Sequence, residues 1–560
     1  MRHILQKNPA AARAFLQVMR KRDLHQQRVD LSHLWRANTA LNPYKYTSGR
    51  WLHHEEVQLR ARYIDFDFNA LCQKAIEACP GASQVVNYEK KEGGFNRVFI
   101  LHMDNASKMI ARIPFHNSGH LRMTTCSEVA TMSYVRSVTS LPVPEVLDWN
   151  GDAENAVCTP YIIMNHVHGV PLQERWPTMD TVQKIGCVEK LSRCMKELGN
   201  LKFPGFGSIY FPSSLPTTEE TIDIGSGFCI GPHCGTDFWP CTSEDPRYYQ
   251  RRNPNRGPWK GLEAYGTGLL DAGYSRLPPG PNVQDDFGAT AQEHLNLLGV
   301  SEALMKALLQ TEVVQDISTP TLLHKDFHKR NIYVSDDDPQ VVTAIIDWQS
   351  TSIEPMFFYA RETPDFVQHA PDFDLRDFLG PDAKDSSDDP ISEREHQKLK
   401  TEIELCQKTY TTVIRALLPR LWTAMQIDQS YINLFRYCDS SWQDGGVALR
   451  EQLLVLSNQW QDLGLPGVCP YQPSQEEIST HNKEWEDYKT VHKLRSFMFK
   501  LVGSNSDGWV PNEHWEEAQN ACREGFELWM ETVMEEADST MTKERAKRLW
   551  PFDDTLASVK

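Results

Sequence analysis

The sequence contains no continuous run of about 18 apolar residues, the length that crosses a lipid bilayer as a helix. It also has no apolar segment near its start of the kind that a secretory signal carries. We therefore expect no transmembrane segment and no secretion signal.

Regularly spaced cysteine pairs are absent as well, although the chain has 13 cysteines. Scattered cysteines are typical of free thiols in a reducing compartment. One group lies close together along the chain: Cys229, His233, Cys234 and Cys241. Because its spacing is not that of a zinc-binding pattern, we expect a structural role there and no metal.

Basic residues are outnumbered by acidic ones, which gives a formal net charge of −17 and a pI near 5.6. Such a balance disfavours nucleic acid as a partner. The first 22 residues are the exception, because no acidic residue precedes Asp23. On a helical wheel, apolar residues of this segment share one face that basic residues flank: Leu5, Ala12, Phe15, Leu16 and Met19, beside Arg13 and Arg20.

A basic, acid-poor amphipathic start is typical of a mitochondrial import signal. We therefore interpret residues 1–36 as a presequence and expect a location in the mitochondrial matrix, with the cytoplasm as the alternative. The first serine is Ser32, whereas import signals are usually rich in serine. The competing interpretation is a surface helix with a solvated basic face.

The most informative motif lies between positions 322 and 347. An apolar run leads to His324 and Asp326, Asn331 follows, and a second apolar run ends at Asp347. The two runs are separated by an Asp-rich turn, so they predict a hairpin that brings Asp347 beside Asn331. Phosphoryl transfer requires this combination: a carboxylate that takes a hydroxyl proton, and oxygen ligands that hold Mg²⁺ against the phosphates. The motif predicts a kinase.

Each residue of the motif has an expected role. Asp326 would accept the proton of a substrate hydroxyl, and Asn331 and Asp347 would hold Mg²⁺. His324 would support the loop rather than take part in the chemistry. A hydroxyl, an amine or a lipid headgroup could each be the phosphate acceptor with the same residues. The motif therefore does not identify the acceptor, and we expect an unidentified small molecule.

The N-terminal half supplies candidates for nucleotide binding. Residues 85–88 and 98–101 predict two strands joined by a turn with Gly93, Gly94 and Asn96, whose backbone N–H groups would cover the phosphates of ATP. Further on, residues 159–169 predict a buried strand that ends in a linker. Its residues Met164, Asn165 and Val167 are where adenine would bind.

Between those segments lie the candidates for a phosphate-binding ion pair. Arg112 is on a predicted strand and Glu128 on the following predicted helix, the order in which kinases carry a basic residue and its Glu partner. Lys108 is an alternative to Arg112. Thr125 and Glu128 also match a capping box, in which the carboxylate would only satisfy backbone donors.

These ordered motifs resemble the aminoglycoside phosphotransferase and choline kinase branch of the kinase-like fold. More narrowly, the chain resembles the fungal altered inheritance of mitochondria protein 9 family. The segments that carry the narrower resemblance are residues 44–52, 127–132, 206–211, 230–232, 257–259 and 508–511. The resemblance implies an α+β, two-lobed kinase-like fold and a mitochondrial location, but it implies no substrate.

The chain departs from the related drug-modifying kinases at Lys325, where they usually have Gly, and at Arg112, where they usually have Lys. Arg presents a planar fork of donors rather than a point charge, so its contact with phosphates would differ. Asp347 is followed by Trp348 rather than by Phe-Gly, and no Ala-Pro-Glu sequence is present, which argues against a protein kinase. We therefore expect an ATP- and Mg²⁺-dependent small-molecule kinase, with a nucleotide-binding regulatory protein as the alternative.

The expected organisation places a nucleotide-binding lobe at 37–166, a catalytic lobe at 167–470 and a helical extension at 471–560. Periodic segments predict helices over residues 181–198, 392–425, 475–501 and 512–536, and we expect the later ones to extend the larger lobe. Residues 205–265 show little periodicity and predict a long loop over the substrate side. The acidic stretch at 370–392 predicts a solvated loop.

Overall fold

The computed structural model describes residues 42–240, 246–249, 252–368, 390–535 and 542–552. The expected presequence at 1–36, Cys241, and the acidic stretch up to residue 389 lie outside these described residues. Within them, none of the helices combines the length and the apolar character that a membrane crossing requires.

The bounds of the elements follow. The strands are β1 (Gly49–Trp51), β2 (Val85–Glu92), β3 (Asn96–Met103), β4 (Lys108–Pro114), β5 (Val146–Asn150), β6 (Tyr161–Asn165), β7 (Val170–Pro171), β8 (Ser208–Tyr210), β9 (Ile222–Gly225), β10 (Phe228–Gly231), β11 (Pro320–Leu322), β12 (Ile332–Val334), β13 (Val342–Ile345), β14 (Ile353–Pro355) and β15 (Trp509–Pro511). The helices are α1 (Glu55–Arg62), α2 (Phe68–Ala78), α3 (Leu121–Val138), α4 (Leu172–Arg175), α5 (Thr181–Gly199), α6 (Leu262–Arg276), α7 (Ala291–Leu309), α8 (Glu312–Asp316), α9 (Met356–Tyr359), α10 (Pro390–Leu417), α11 (Pro419–Gln426), α12 (Asn433–Tyr437), α13 (Ser441–Asp444), α14 (Gly446–Gln459), α15 (Gln475–Val502), α16 (Trp515–Glu535) and α17 (Lys543–Arg548).

A five-stranded antiparallel sheet forms the small lobe, in the order β2-β3-β4-β6-β5. Helix α3 packs against it, and twelve of the helix's residues are buried. The register sets Arg112 of β4 between Val98 of β3 and Ile162 of β6, so Arg112 lies on a central strand. The strand, turn, strand and helix predicted for this half are confirmed.

The chain leaves the small lobe through β7, which pairs with β12 of the predicted hairpin; β12 in turn pairs with β13. Gly169 makes this crossing possible. Its φ is +98°, and a Cβ there would come within 2.1 Å of the carbonyl oxygen of Val334. The linker between the lobes is therefore joined directly to the hairpin that carries the motif.

The larger lobe is mainly helical. Its first long helix, α5, begins with a capping box between Asp180 and Gln183 and ends at Gly199, close to the predicted bounds. One continuous apolar core includes residues of α5, α6, α7, α11 and α14. The predicted arrangement, a small β-rich lobe followed by a mainly helical lobe, is confirmed.

Residues 205–265 differ from the predicted loop. They contain the three-stranded sheet β8-β10-β9 and the start of α6. Each strand has only three or four residues, and a bulge interrupts the pairing of β10 with β9 between Phe228 and Cys229. Strands this short leave almost no periodic signal in a sequence.

The chain divides into two compact units. Residues 61–368 and 401–486 form the unit with both lobes described above, and the described parts of 1–60, 369–400 and 487–560 form the other. In the latter, β1 pairs with β15, and Leu52, Trp515 and Trp529 share an apolar core. Of the later helices that we predicted, most of α10 and all of α11 belong to the first unit, whereas α16 and the part of α15 from residue 487 belong to the unit that contains β1.

Candidate active site

Asp326 and Asn331 lie at the two ends of a short loop between β11 and β12. The Asn331 amide Nδ2 donates to Asp326 Oδ2 at 2.7 Å and to the Asp326 carbonyl at 3.0 Å. Asn331 is buried, whereas the Asp326 side chain is 31% exposed. The amide therefore fixes the orientation of a carboxylate that solvent or a substrate can reach.

His324 anchors the same loop from below. Its Nε2 lies 2.9 Å from the Ile346 carbonyl, and its Nδ1 accepts the backbone N–H of Asp326 at 3.2 Å. These partners require a neutral ring with the proton on Nε2. Burial lowers the pKa of His324, which favours that neutral form. The structure thus gives His324 the contacts of a supporting residue.

The hairpin brings Asp347 next to Asn331. Ile332 pairs with Ile345, and the backbone N–H of Ile346 donates to the Asn331 carbonyl at 2.9 Å. Asp347 follows directly, with a φ of +64°. A residue other than Gly rarely adopts this left-handed conformation, although Asp tolerates it better than most. The uncommon backbone conformation thus occurs at the position where the sequence predicted a metal ligand.

The donor set at this position suits a hard divalent cation. Since the amide nitrogen of Asn331 faces Asp326, the amide oxygen remains as its acceptor group. The carboxylate of Asp347 is 40% exposed, which leaves room for a ligand. Mg²⁺ prefers such oxygen ligands and completes its coordination with water and substrate phosphates. Asn331 and Asp347 are the residues that would hold it.

Arg112 joins the small lobe to this hairpin. Its Nη1 donates to Glu128, and its Nη2 donates to Asp347 Oδ1 at 2.9 Å and to Gln349 Oε1 at 2.7 Å. The Arg112 side chain is only 7% exposed. Lys108, the alternative, is exposed at the far end of the same strand and pairs with His102. The structure brings Arg112, and not Lys108, to Glu128 and Asp347.

Glu128 does not cap a helix. Helix α3 begins after His120, whose ring accepts the N–H of Met123, so Thr125 already lies inside the helix. The capping-box interpretation of Thr125 and Glu128 is therefore wrong, because the helix starts one turn earlier than that pattern requires. The buried Glu128 carboxylate instead faces the guanidinium of Arg112.

Burial gives this ion pair a pH dependence. Loss of solvation raises the pKa of Glu128 from 4.5 to about 7, and the positive charge of Arg112 only partly opposes the rise. The folded protein then holds the proton more tightly than the unfolded chain does. The contribution of Glu128 protonation to the free energy of unfolding is complete below a pH of about 4.5 and is lost as the pH rises through about 7.

We expect the melting temperature of the wild-type protein to fall between pH 5 and pH 8 relative to that of Glu128→Gln, whose side chain does not titrate. Thermal denaturation at half-unit pH steps measures the difference. Glu189→Gln, on the exposed face of α5, is the control and should follow the wild type. Parallel curves for wild type and Glu128→Gln would contradict the assignment.

The glycine turn lies at the tip of β2 and β3. Gly93 donates its N–H to the Asn96 carbonyl at 2.9 Å, and the Gly94 carbonyl accepts from Asn117 at 3.1 Å. A Cβ on Gly94 would have no atom within 4 Å, so the turn itself does not require glycine there. The Asn96 side chain donates to Gln349 rather than facing the open side of the turn.

The predicted adenine-binding residues occupy the end of β6 and the linker after it. Met164 is buried and pairs with Ile110 and Val146 in the sheet. Asn165 is exposed, and its backbone N–H donates to the Glu145 carbonyl at 3.1 Å. Val167 is half-buried in the linker that leads to Gly169.

Two residues of the site were missed by the sequence analysis. Gln349 accepts from both Arg112 and Asn96, and so ties the glycine turn to the hairpin. Arg330 contacts the carboxylate of Asp326. The position of Arg330, one helical turn after Asp326 and next to Asn331, was the available signal for its contact. Gln349 had none, because its partners are more than 230 residues away in sequence.

The cysteine group also has defined surroundings. Cys234 lies beside Ser208, whose hydroxyl is 3.2 Å from the thiol, and the buried His233 pairs with the half-buried Glu354 at 2.6 Å. That contact and further hydrogen bonds from Ser352 and Tyr265 outweigh the effect of burial and hold the pKa of Glu354 at about 2. These contacts link the β8-β10-β9 sheet to β14.

Comparison with known proteins connects this geometry to a family. A model of the phosphotransferase enzyme family (APH) matches residues 250–358, the range that holds the loop and the hairpin. The chain is 28% identical to a subtelomeric hrmA-associated cluster protein of Aspergillus fumigatus, over 85% of this chain and 97% of that relative. It is 22% identical to altered inheritance of mitochondria protein 9, mitochondrial, of Yarrowia lipolytica, over 85% of each chain.

The Saccharomyces cerevisiae protein of the same name is 23% identical over 77% of this chain and 73% of its own. Among solved structures, aminoglycoside phosphotransferase APH(4)-Ia has a TM-score of 0.33 at 15% identity, covering 70% of this chain and 96% of that one. The GDP and kanamycin complex of APH(2")-IIIa has a TM-score of 0.32 at 13% identity, covering 70% and 98%. The resemblance drawn from the sequence is confirmed: the chain is similar over most of its length to proteins named altered inheritance of mitochondria protein 9, and residues 250–358 match the phosphotransferase enzyme family model.

Proposed function

We propose that the protein is an ATP- and Mg²⁺-dependent phosphotransferase that acts on a hydroxyl group of a small molecule. One observation carries the proposal: a continuous network of contacts links Asn331, Asp326 and the hairpin to Asp347, Arg112 and Glu128. It combines an accessible carboxylate, two oxygen ligands and a buried cation on a central strand. Phosphoryl transfer depends on positioning and electrostatics, which these groups supply.

In the proposed reaction, Asp326 accepts the proton of the acceptor hydroxyl while the hydroxyl oxygen attacks the γ-phosphorus of ATP. The new oxygen–phosphorus bond forms as the bond from the γ-phosphorus to the bridging oxygen breaks, and ADP leaves with that electron pair. Asn331 keeps the base in position through its amide. His324, neutral and buried, supports the loop without exchanging a proton.

Nucleotide binding would use the small lobe. Backbone N–H groups near Gly93 and Gly94 would cover the phosphates, and Met164, Asn165 and Val167 would contact adenine. Arg112, held by Glu128, would stabilise phosphate charge. Mg²⁺ bound by Asn331 and Asp347 would supply charge neutralisation on the transferred phosphoryl group.

We also propose the domain limits and the location that the sequence predicted. Residues 37–166 would form the nucleotide-binding lobe, 167–470 the catalytic lobe and 471–560 a helical extension. Residues 1–36 would direct import into mitochondria, an idea supported by the mitochondrial names of the relatives. Cell fractionation of the full chain and of a form lacking residues 1–36 decides it, since equal distribution of both would contradict an import role.

The proposal predicts that ATP raises the melting temperature of the purified protein, and that Mg²⁺ increases the rise. At a ligand concentration of about 100 times Kd, binding adds about 2.7 kcal/mol to the free energy of unfolding. Thermal denaturation with ATP, with Mg²⁺ alone, and with both measures each contribution. ADP formation with candidate acceptors measures turnover. A melting temperature that no nucleotide changes would contradict the proposal.

A second function is favoured by the surroundings of Asp326. Arg330 Nη2 lies 2.7 Å from both oxygens of its carboxylate and so occupies the proposed base. Under this alternative, the protein binds nucleotide as a regulatory or scaffold protein and transfers no phosphate. ATP would then stabilise the protein while ADP failed to form with every acceptor tested, and substitution of Asp326 would leave the cellular phenotype intact.

A further inference from the structure

Arg330 is a cation that touches the proposed base and remains open to a ligand. Its Nη2 bonds to both oxygens of Asp326, while its side chain is 59% exposed. Its Nε and Nη1 have no hydrogen-bond partner among the residues that the structure describes. A guanidinium has five N–H donors in a planar fork, so most of its capacity is available to an oxyanion.

Lys325, immediately before Asp326, is a second exposed cation. No acidic residue within the described ranges forms an ion pair with it. Burial raises the pKa of the Cys234 thiol, and the positive charge of Lys325 acts in the opposite direction on that group. Lys325 thus lies one residue before the proposed base, with its side chain exposed to solvent.

The other cations of the loop are already matched. His328 and Lys329 both face Asp365, whose carboxylate is 3.6 Å from His328 Nδ1 and 3.9 Å from Lys329 Nζ. Asp365 Oδ1 also accepts the backbone N–H of Lys329 at 2.9 Å. Lys325 is therefore the loop cation without a carboxylate partner among the described residues, and Arg330, although paired with Asp326, is the one whose guanidinium keeps unused donors. This is a local exception in a chain whose formal net charge is −17.

We propose that the acceptor is an anionic hydroxy compound whose phosphate or carboxylate group binds Arg330 and Lys325. The inference rests on the proposed phosphotransferase function and adds the chemical class of the substrate. Arg330 would be a specificity-determining residue, because a neutral acceptor gains nothing from it and a cationic acceptor is repelled. Lys325 would add charge on the other side of Asp326 in the loop.

The same contact explains how the base becomes available. Without an acceptor, Arg330 is paired with Asp326 and occupies both oxygens of its carboxylate. The oxyanion of an arriving acceptor offers the guanidinium a bidentate partner, and the Arg330–Asp326 pair separates. The acceptor hydroxyl then donates its proton to Asp326 as the oxygen–phosphorus bond forms and ADP leaves. An anionic acceptor would thereby favour its own phosphorylation over hydrolysis of ATP.

Inorganic phosphate is the probe for the anion site. The protein is first saturated with Mg²⁺ and a non-hydrolysable ATP analogue, so that the γ-phosphate position is filled, and phosphate is then titrated by calorimetry. We expect saturable binding to the wild type that is about tenfold weaker in Arg330→Gln and several-fold weaker in Lys325→Gln. Arg193→Gln, an exposed pair on α5, is the matched control and should bind as the wild type does.

Three acceptors test the substrate class. ADP formation is measured with glycerol, glycerol 3-phosphate and kanamycin, which are a neutral, an anionic and a cationic hydroxy compound. We expect glycerol 3-phosphate to raise ADP formation most, and Arg330→Gln to abolish that preference while the nucleotide-induced rise in melting temperature persists.

The inference is overturned, even if nucleotide binds, when the wild type does not bind phosphate or when Arg330→Gln binds it as tightly as the wild type does. Preference for kanamycin or glycerol overturns it too. Loss of all nucleotide binding would instead contradict the proposed function. The phosphate titration is then repeated without nucleotide, and it decides the anion site by the same comparison of variants.

Discussion

Substitution of Asp326 by Asn is expected to lower the rate of phosphoryl transfer by a factor of roughly 10² to 10⁴, the usual contribution of a positioned general base. Binding of ATP should be unchanged. Asn is nearly the same shape as Asp but does not accept a proton at neutral pH. Among the described residues, the polar contacts of the side chain are with Arg330, Asn331 and, more distantly, His328. None of these residues belongs to the proposed nucleotide contacts except Asn331, whose amide oxygen faces away from Asp326.

The rate is measured as ADP formation with the acceptor that works best for the wild type, and binding as the rise in melting temperature with ATP and Mg²⁺. Asp336→Asn is the control, since that exposed aspartate lies in the turn between β12 and β13. It should match the wild type in both measurements. Undiminished transfer by Asp326→Asn, at equal ATP binding, would remove Asp326 from the mechanism. Lost ATP binding in that variant would indicate misfolding of the loop.

The loop and hairpin could be predicted from sequence because their contacts are local. Asn331 reaches Asp326 across five residues, and β12 pairs with β13 around a turn of seven residues that contains three aspartates. Apolar runs of this length, separated by a polar turn, specify the pairing without help from the rest of the chain. The spacing of the motif is therefore sufficient to predict the geometry of this part of the site.

The choice between Arg112 and Lys108 could not be made from sequence. The two residues are four positions apart on one strand, so their side chains point to the same face about 13 Å from each other. Which of them meets Glu128 depends on the register of β4 against β6 and on where α3 starts. That start is set by the ring of His120, a residue that is rarely recognised as a helix cap.

Contacts between distant parts of the chain account for what the sequence analysis missed. Gln349 meets Asn96 across 253 residues, and β1 pairs with β15 across more than 450. A periodic pattern shows that a segment has an apolar face, but it does not show which other face will cover it. For this reason the C-terminal helices were recognised as helices while their packing partner, a three-residue strand near the N-terminus, was not.

The second large effect is expected for Asp347→Asn: the variant should lose the additional stabilisation that Mg²⁺ gives to the ATP complex. A neutral amide is a much weaker ligand for Mg²⁺ than a carboxylate. Asn adopts left-handed backbone conformations at least as readily as Asp does, so the φ of +64° is tolerated. Its side-chain oxygen can still accept from Arg112 Nη2. The variant therefore tests charge at the metal position with little change in the fold.

The measurement is the melting temperature with ATP alone and with ATP plus Mg²⁺, for the wild type, Asp347→Asn and the control Asp337→Asn. In the wild type and the control, Mg²⁺ should increase the rise in melting temperature that ATP causes. In Asp347→Asn, the rise should be the same with and without Mg²⁺. Equal Mg²⁺ effects in all three proteins would mean that the cation binds elsewhere. In that case Asp347 would serve only to hold Arg112, and ATP alone would stabilise Asp347→Asn less than the wild type, because the guanidinium would have lost half of its ionic support.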